Sequence, residues 1–326
     1  MIALREIKEK ELIPQKPQLK MMIGGALALS KTLLLNLPDL KKLRKIPTNS
    51  ERYIRPKKTY DLSPYDSSLK HCNSTEKYLR PTLWCDPTEP EVIALAHQLG
   101  AYKKSDREFA EAAFEFVKEN LTLEILPFNP VSETIRRGTG TCIHLISVFI
   151  ALCRAAGIKA RYKMFAMNMI QAWYDTTVNV DPLIKKWYDS MGYFMIEGEG
   201  EAYIDGEWVV AHVGPTAERQ AAGGIPVTKF GEDSLGNWFF AIPGSIMYME
   251  SIPIGLGGAL RFLNKLAPGS MERVNISVQK QIKKGREIIK QAGGIKPYNL
   301  KVRKKKGPST PELKLRGQEQ IVFEQG

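Results

Sequence analysis

The strongest periodic stretch of the chain runs from residue 138 to 163, G-T-G-T-C-I-H-L-I-S-V-F-I-A-L-C-R-A-A-G-I-K-A-R-Y-K. Leu145, Val148, Phe149, Leu152 and Ala156 recur at i, i+3, i+4, i+7 and i+11, the spacing of one apolar helix face. Gly138 and Gly140 before it predict a loop with left-handed freedom, Thr139 or Thr141 a cap, and Gly157 an αL stop. Ile158, Ala160, Tyr162 and Met164 then alternate with Lys159, Arg161 and Lys163, the pattern of a half-buried strand.

Weaker patterns surround this stretch. Residues 90–99 predict a short helix ending at Gly100, and Ser105 with Glu108 forms a capping box. The helix after that box buries Phe109, Ala112, Ala113, Phe116 and Val117. Residues 131–137 lead into the glycine loop, and Ser132 can cap a short turn there. Residues 201–212 alternate about Asp205-Gly206, a type I′ hairpin signal. A two-residue loop pairs Tyr203 with Trp208, Glu201 with Val210 and Glu199 with His212. Glu197, Glu199, Glu201, Tyr203, Trp208, Val210 and His212 then share one face, unless Gly198 or Gly200 introduces a bulge. Residues 274–292 predict another helix, ended by Gly293-Gly294.

Residues 21–37 are the most apolar early run, interrupted by Lys31 and too short for a membrane span. Lys41, Lys42, Arg44 and Lys45 follow, so this helix either packs on the rest of the chain or lies in a membrane interface. Residues 46–88 read as an extended connector. Residues 217–257 are rich in Gly and Pro, with Trp238, Phe239 and Phe240 as anchors. The organisation expected is a basic N-terminal extension and connector over 1–88, a core over 89–220, a C-terminal part packed on it over 221–295, and a disordered basic tail over 296–326.

At 326 residues and 43% hydrophobic content the chain can bury a substantial core. Its net charge of +12 lies at the ends. Residues 1–59 hold 14 Lys/Arg against 5 Asp/Glu, residues 296–326 hold 8 against 3, and the middle is close to neutral. Basic ends suit an acidic partner or an anionic membrane surface. No nucleic-acid motif, phosphate-binding Gly-Lys loop or paired Cys/His metal spacing is present, so no cofactor or metal is expected. Cys142 and Cys153 sit about 16 Å apart along one helix and cannot bridge. With Cys72 and Cys85 they read as reduced thiols of a cytoplasmic protein, which the basic ends could bring to the membrane periphery.

Cys142 carries the candidate chemistry. A thiol in the first turn of a helix, behind a glycine loop, is placed where N–H groups and the helix dipole favour a thiolate. Gly140-Thr141-Cys142, followed by Arg154-Ala155-Ala156-Gly157-Ile158-Lys159-Ala160-Arg161, resembles the nucleophile segment of the transglutaminase-like superfamily of papain-related thiol enzymes. The resemblance covers residues 90–216. It implies an α+β, papain/transglutaminase-like core in which the Cys-bearing helix packs on an antiparallel sheet, with N- and C-terminal extensions. It also implies a Cys-His-Asp triad, and a peptide or amide/ester substrate attacked through a Cys thioester by a hydrolase, peptidase or acyltransferase.

The hairpin departs from the family frame. Glu201, Tyr203, Asp205-Gly206, Trp208 and Pro215-Thr216 match it, yet Glu197 stands where the family has its histidine and His212 where it has its aspartate. An alternative alignment on Gln171-Ala172-Trp173 and Asp181-Pro182 also lacks the histidine. The expected site is therefore Cys142 with His212 as base and Glu197 or Glu199 as orienting carboxylate, with His144 structural. The other reading is a catalytically inactive binding module with basic tails.

Overall fold

The computed structural model describes residues 16–45, 52–233, 235, 240–242, 245–253 and 261–304. Helices α1 (Lys16–Leu35) and α2 (Leu37–Leu43) open it, followed by a connector with little regular structure. The core holds α3 (Pro90–Gln98), α4 (Asp106–Asn120), β1 (Thr122–Leu123), α5 (Val131–Arg137), β2 (Thr139–Gly140), α6 (Cys142–Ala155) and β3 (Ala160–Asn168). Next come α7 (Gln171–Trp173) with a π turn at Tyr174–Val178, α8 (Pro182–Met191), β4 (Phe194–Ile204), β5 (Glu207–Ala211) and α9 (Ala217–Ala222). Short strands β6 (Phe240–Ala241) and β7 (Met247–Met249) precede α10 (Pro268–Gln291) and α11 (Ile295–Val302).

Helix α6 is buried on all sides because it forms the centre of the fold. Its apolar residues meet α3, α4 and α5 on one side and the sheet on the other. The sheet is antiparallel with order β5-β4-β3-β6, and β7 also pairs with β3. The fold is α+β, with the Cys-bearing helix against an antiparallel sheet. The connector closes over this core: Cys72 donates its backbone N–H to Ala155, Arg80 pairs with buried Glu250 at 2.8 Å, and Tyr60 hydrogen-bonds the Ile135 carbonyl at 2.5 Å.

The hairpin has the expected register. Tyr203 pairs with Trp208 and Glu201 with Val210, and both turn residues are left-handed, Asp205 at φ 55° and Gly206 at φ 88°. Gly206→Val is expected to cost about 1–2 kcal/mol, since a β-branched side chain is forced into αL. A thermal melt unchanged from wild type would contradict that turn. The bulge lies in β4 at residues 195–196, between the pairs Phe165–Glu197 and Met167–Phe194, rather than at Gly198 or Gly200.

Several expectations change. Strand β3 is buried on both faces apart from half-buried Arg161, and Lys163 is buried beside its cross-strand partner Glu199. Gly138 is left-handed at φ 76°, but Gly140 is needed for another reason: a Cβ there would lie 2.5 Å from the Cβ of His144. Helix α10 extends N-terminally of the expected 274 and buries Val274, Val278 and Ile282. The tail expected from 296 begins inside α11, where Tyr298 and Val302 are buried. Residues 305–326 and the anchors Trp238 and Phe239 lie outside the described residues, as does the side chain of Phe240.

Candidate active site

Cys142 is the first residue of α6. Thr141 caps the helix by accepting the His144 N–H, and the His144 ring accepts from the Thr141 backbone N–H at 3.1 Å. The other ring nitrogen, which then carries the ring proton, is placed to donate to the Pro127 carbonyl, and the ring stacks on Phe128. Burial beside Arg137 lowers the His144 pKa to about 3, so it stays a neutral cap. Cys142 itself is partly buried, between the main core and a second apolar cluster built by α10.

The group against the Cys142 thiol is Glu197. A Cβ added at Gly214 would meet both residues at once, and the Ile143 backbone N–H also acts on the thiol. Burial first, then the Glu197 charge, push the thiol well above its ordinary value, opposed in part by that N–H and by Arg219.

The strand register explains the choice of Glu197. Three glutamates alternate along one face of β4, and each faces a residue of β3: Glu201 faces Arg161, Glu199 faces Lys163, and Glu197 faces Phe165. Arg161 binds Glu201 at 2.6 Å and is held between Trp208 and Tyr248; Lys163 binds Glu199 at 3.1 Å. Glu197 has no cross-strand cation. Burial raises its carboxyl to about 7, against the Gly198 N–H, the Arg219 charge and the Cys142 thiol.

His212 is fully buried one step further along. Its Nδ1 lies 3.8 Å from Glu199 Oε1, the contact the hairpin pairing predicts. Burial, then the charges of Lys118 and Lys163, hold its pKa well below the usual range, which keeps the ring neutral. The structure thus places Cys142 with Glu197, and His212 with Glu199 and Lys163.

Residues not singled out by sequence complete the site. Gly214 lies against it, since a Cβ there would sit 3.0 Å from Glu197 Oε1 and 3.1 Å from Cys142 Cβ. Lys118 donates to the carbonyls of His212 and Pro215 at 2.8 Å, which ties the end of β5 across the site; burial lowers its pKa to about 7. Arg219 is buried near Trp173, bonds Thr177, and is lowered by burial to about 10. Thr216 caps α9, and Arg219 is the residue whose N–H it accepts. Nothing in the pattern of α4 marks Lys118 as buried.

The residues of the alternative alignment are scaffold. Trp173 is buried with its indole on the Arg219 carbonyl, and Asp181 caps α8 and pairs with Arg273.

A helix that presents a cysteine at its N-terminus to an antiparallel hairpin defines a papain-like thiol fold. Residues 93–211 match the family model of the transglutaminase-like superfamily, and this part of the chain is transglutaminase-like. Among solved structures the chain is similar to a "Putative Cysteine Protease from Cytophaga hutchinsonii", at 18% identity and a TM-score of 0.32, over 52% of this chain and 51% of that one. The chain therefore spans about half the length of that protein. No curated protein matches.

Proposed function

We propose that the protein is a thiol enzyme of acyl transfer in which Cys142 attacks an amide or ester carbonyl and Glu197 is its base. The observation that carries this reading is the placing of Glu197, the β4 glutamate that faces Phe165 rather than a cation, against Cys142, so that a Cβ at Gly214 would touch both. A carboxyl near 7 suits a general base at neutral pH. In the attack, sulfur bonds to the carbonyl carbon, the thiol proton passes to Glu197, and the carbonyl π pair moves to oxygen. The backbone N–H of Cys142, in the first helical turn and outside the helix ladder, is positioned to receive that oxyanion. Collapse expels the amine or alcohol, which takes the proton back from Glu197. Water or an acceptor amine then resolves the thioester, with Glu197 receiving and returning its proton again. Arg219 opposes the rise in the Glu197 pKa and so favours the ionised base at rest.

His212 in this reading is a positioning residue: neutral, and packed on Glu199 beneath the hairpin. His212→Ala should lower stability more than it lowers the acylation rate per folded molecule, whereas His212 as the base would reverse that order.

A second reading, a binding module without catalysis, is favoured by the setting of Cys142, where burial and then the Glu197 charge oppose the thiolate. Incubation with an activated ester separates the two. Acylation of Cys142, found by mass spectrometry and absent in Cys142→Ala, is expected. A wild type left unacylated while its partly exposed Cys72 reacts would favour the binding module.

A further inference from the structure

Helix α1 is packed with its amphipathic sense reversed. The side toward α8 carries Gly25, Leu29, Thr32 and Asn36, all buried. Its contacts are partly polar and partly apolar: Trp187 donates its indole N–H to the Gly25 carbonyl at 3.2 Å, Lys186 bonds Asn36, and Leu33 packs on Leu183 and Ala267. The opposite side exposes Leu19, Ile23, Leu27, Leu34 and Leu35, joined by Leu37 at the start of α2, each between 45% and 72% exposed. Leu19, Ile23, Leu27 and Leu34 fall within one narrow helical stripe. A helix whose only task was to pack on the protein would turn these residues inward.

Charge indicates what covers the stripe. Lys20, Lys31, Lys41, Lys42, Arg44 and Lys45 are all exposed around it, and Asp39 is the one acidic residue between 16 and 45. We propose that this face docks on an anionic lipid surface, with the leucine stripe in the boundary between headgroups and acyl chains and the lysines reaching the headgroups. A second copy of the chain seated on the same face would bring six like charges against six, whereas an anionic bilayer neutralises them. The helix lies on the surface and does not cross it: no helix among the described residues is long and apolar enough to span a membrane.

The test uses the full chain and sedimenting vesicles of phosphatidylcholine, alone or with roughly a third phosphatidylglycerol. The protein is expected to sediment with the anionic vesicles and not the neutral ones. Leu27→Glu combined with Leu34→Glu is expected to weaken that binding by roughly tenfold or more. Lys41→Glu with Lys42→Glu should weaken it as well, and so should added salt. Every one of these positions is exposed, so melting should not change and a loss of binding is not a loss of fold. The proposal is overturned if the wild type ignores both vesicle types, or if the leucine pair binds like wild type. It is also overturned if the wild type is a dimer that the leucine pair turns into a monomer without any vesicle binding.

Discussion

Lys163→Met is expected to destabilise the protein by about 3–5 kcal/mol, a large share of the ~5–15 kcal/mol that holds a typical domain. Lys163 and Glu199 are both buried, 3.1 Å apart, and His212 lies against the same carboxylate. Exposed Asp233, 3.8 Å from Lys163, is a minor partner by comparison. Methionine keeps most of the volume but leaves the Glu199 carboxylate buried without its cation. Adding Glu199→Gln to Lys163→Met removes the stranded charge and should restore much of the loss, a coupling that urea denaturation of the four variants measures directly. Equal and additive losses would mean that the pair is not the unit the geometry describes.

Glu197→Gln should move two rates at Cys142 in opposite directions. Alkylation by iodoacetamide needs the thiolate, and burial and then the Glu197 charge hold the thiol protonated. Glutamine removes that charge while the Ile143 N–H and the helix N-terminus remain. Each pKa unit returned gives about tenfold more thiolate, roughly half of which, on a logarithmic scale, survives the accompanying loss of nucleophilicity. Alkylation should therefore become several-fold faster. Acyl transfer should become about 10²–10⁴-fold slower, the usual share of a general base. The same substitution alters stability. With the folded carboxyl raised to about 7 and the unfolded value near 4.5, the native state keeps a proton that the unfolded chain has shed. Wild-type stability should thus fall as pH rises from about 4.5 through 7, and Glu197→Gln should remove that decline.

Much of this was legible in the sequence because it rests on local rules. The capping box at Ser105, the period of α6, the Gly157 stop and the Asp205-Gly206 turn each depend on residues within a few positions of one another. The hairpin register followed from the turn, and with it the meeting of Glu199 and His212. What sequence could not give was how β4 lies against β3, because that register is set across more than thirty residues. Opposite β3, Glu199 and Glu201 gain cations and Glu197 gains Phe165. That difference decides which carboxylate is left for the thiol. Lys118 and Arg219 escaped for a related reason: each is a charged residue buried by a segment far from it in the chain.

The central claim is that Glu197 is the base for Cys142, and the pH dependence of Cys142 acylation by an activated ester tests it most directly. Following the mass of the intact protein from pH 5 to 9, roughly the span over which a group near 7 titrates, gives the rate profile. The account predicts a rate that rises through about pH 7, as the Glu197 carboxyl ionises, and then levels off. Glu197→Gln should lose that limb, and His212→Ala should keep it. A rate that climbs without a plateau as the bare thiol ionises, the same in wild type and Glu197→Gln, would contradict it.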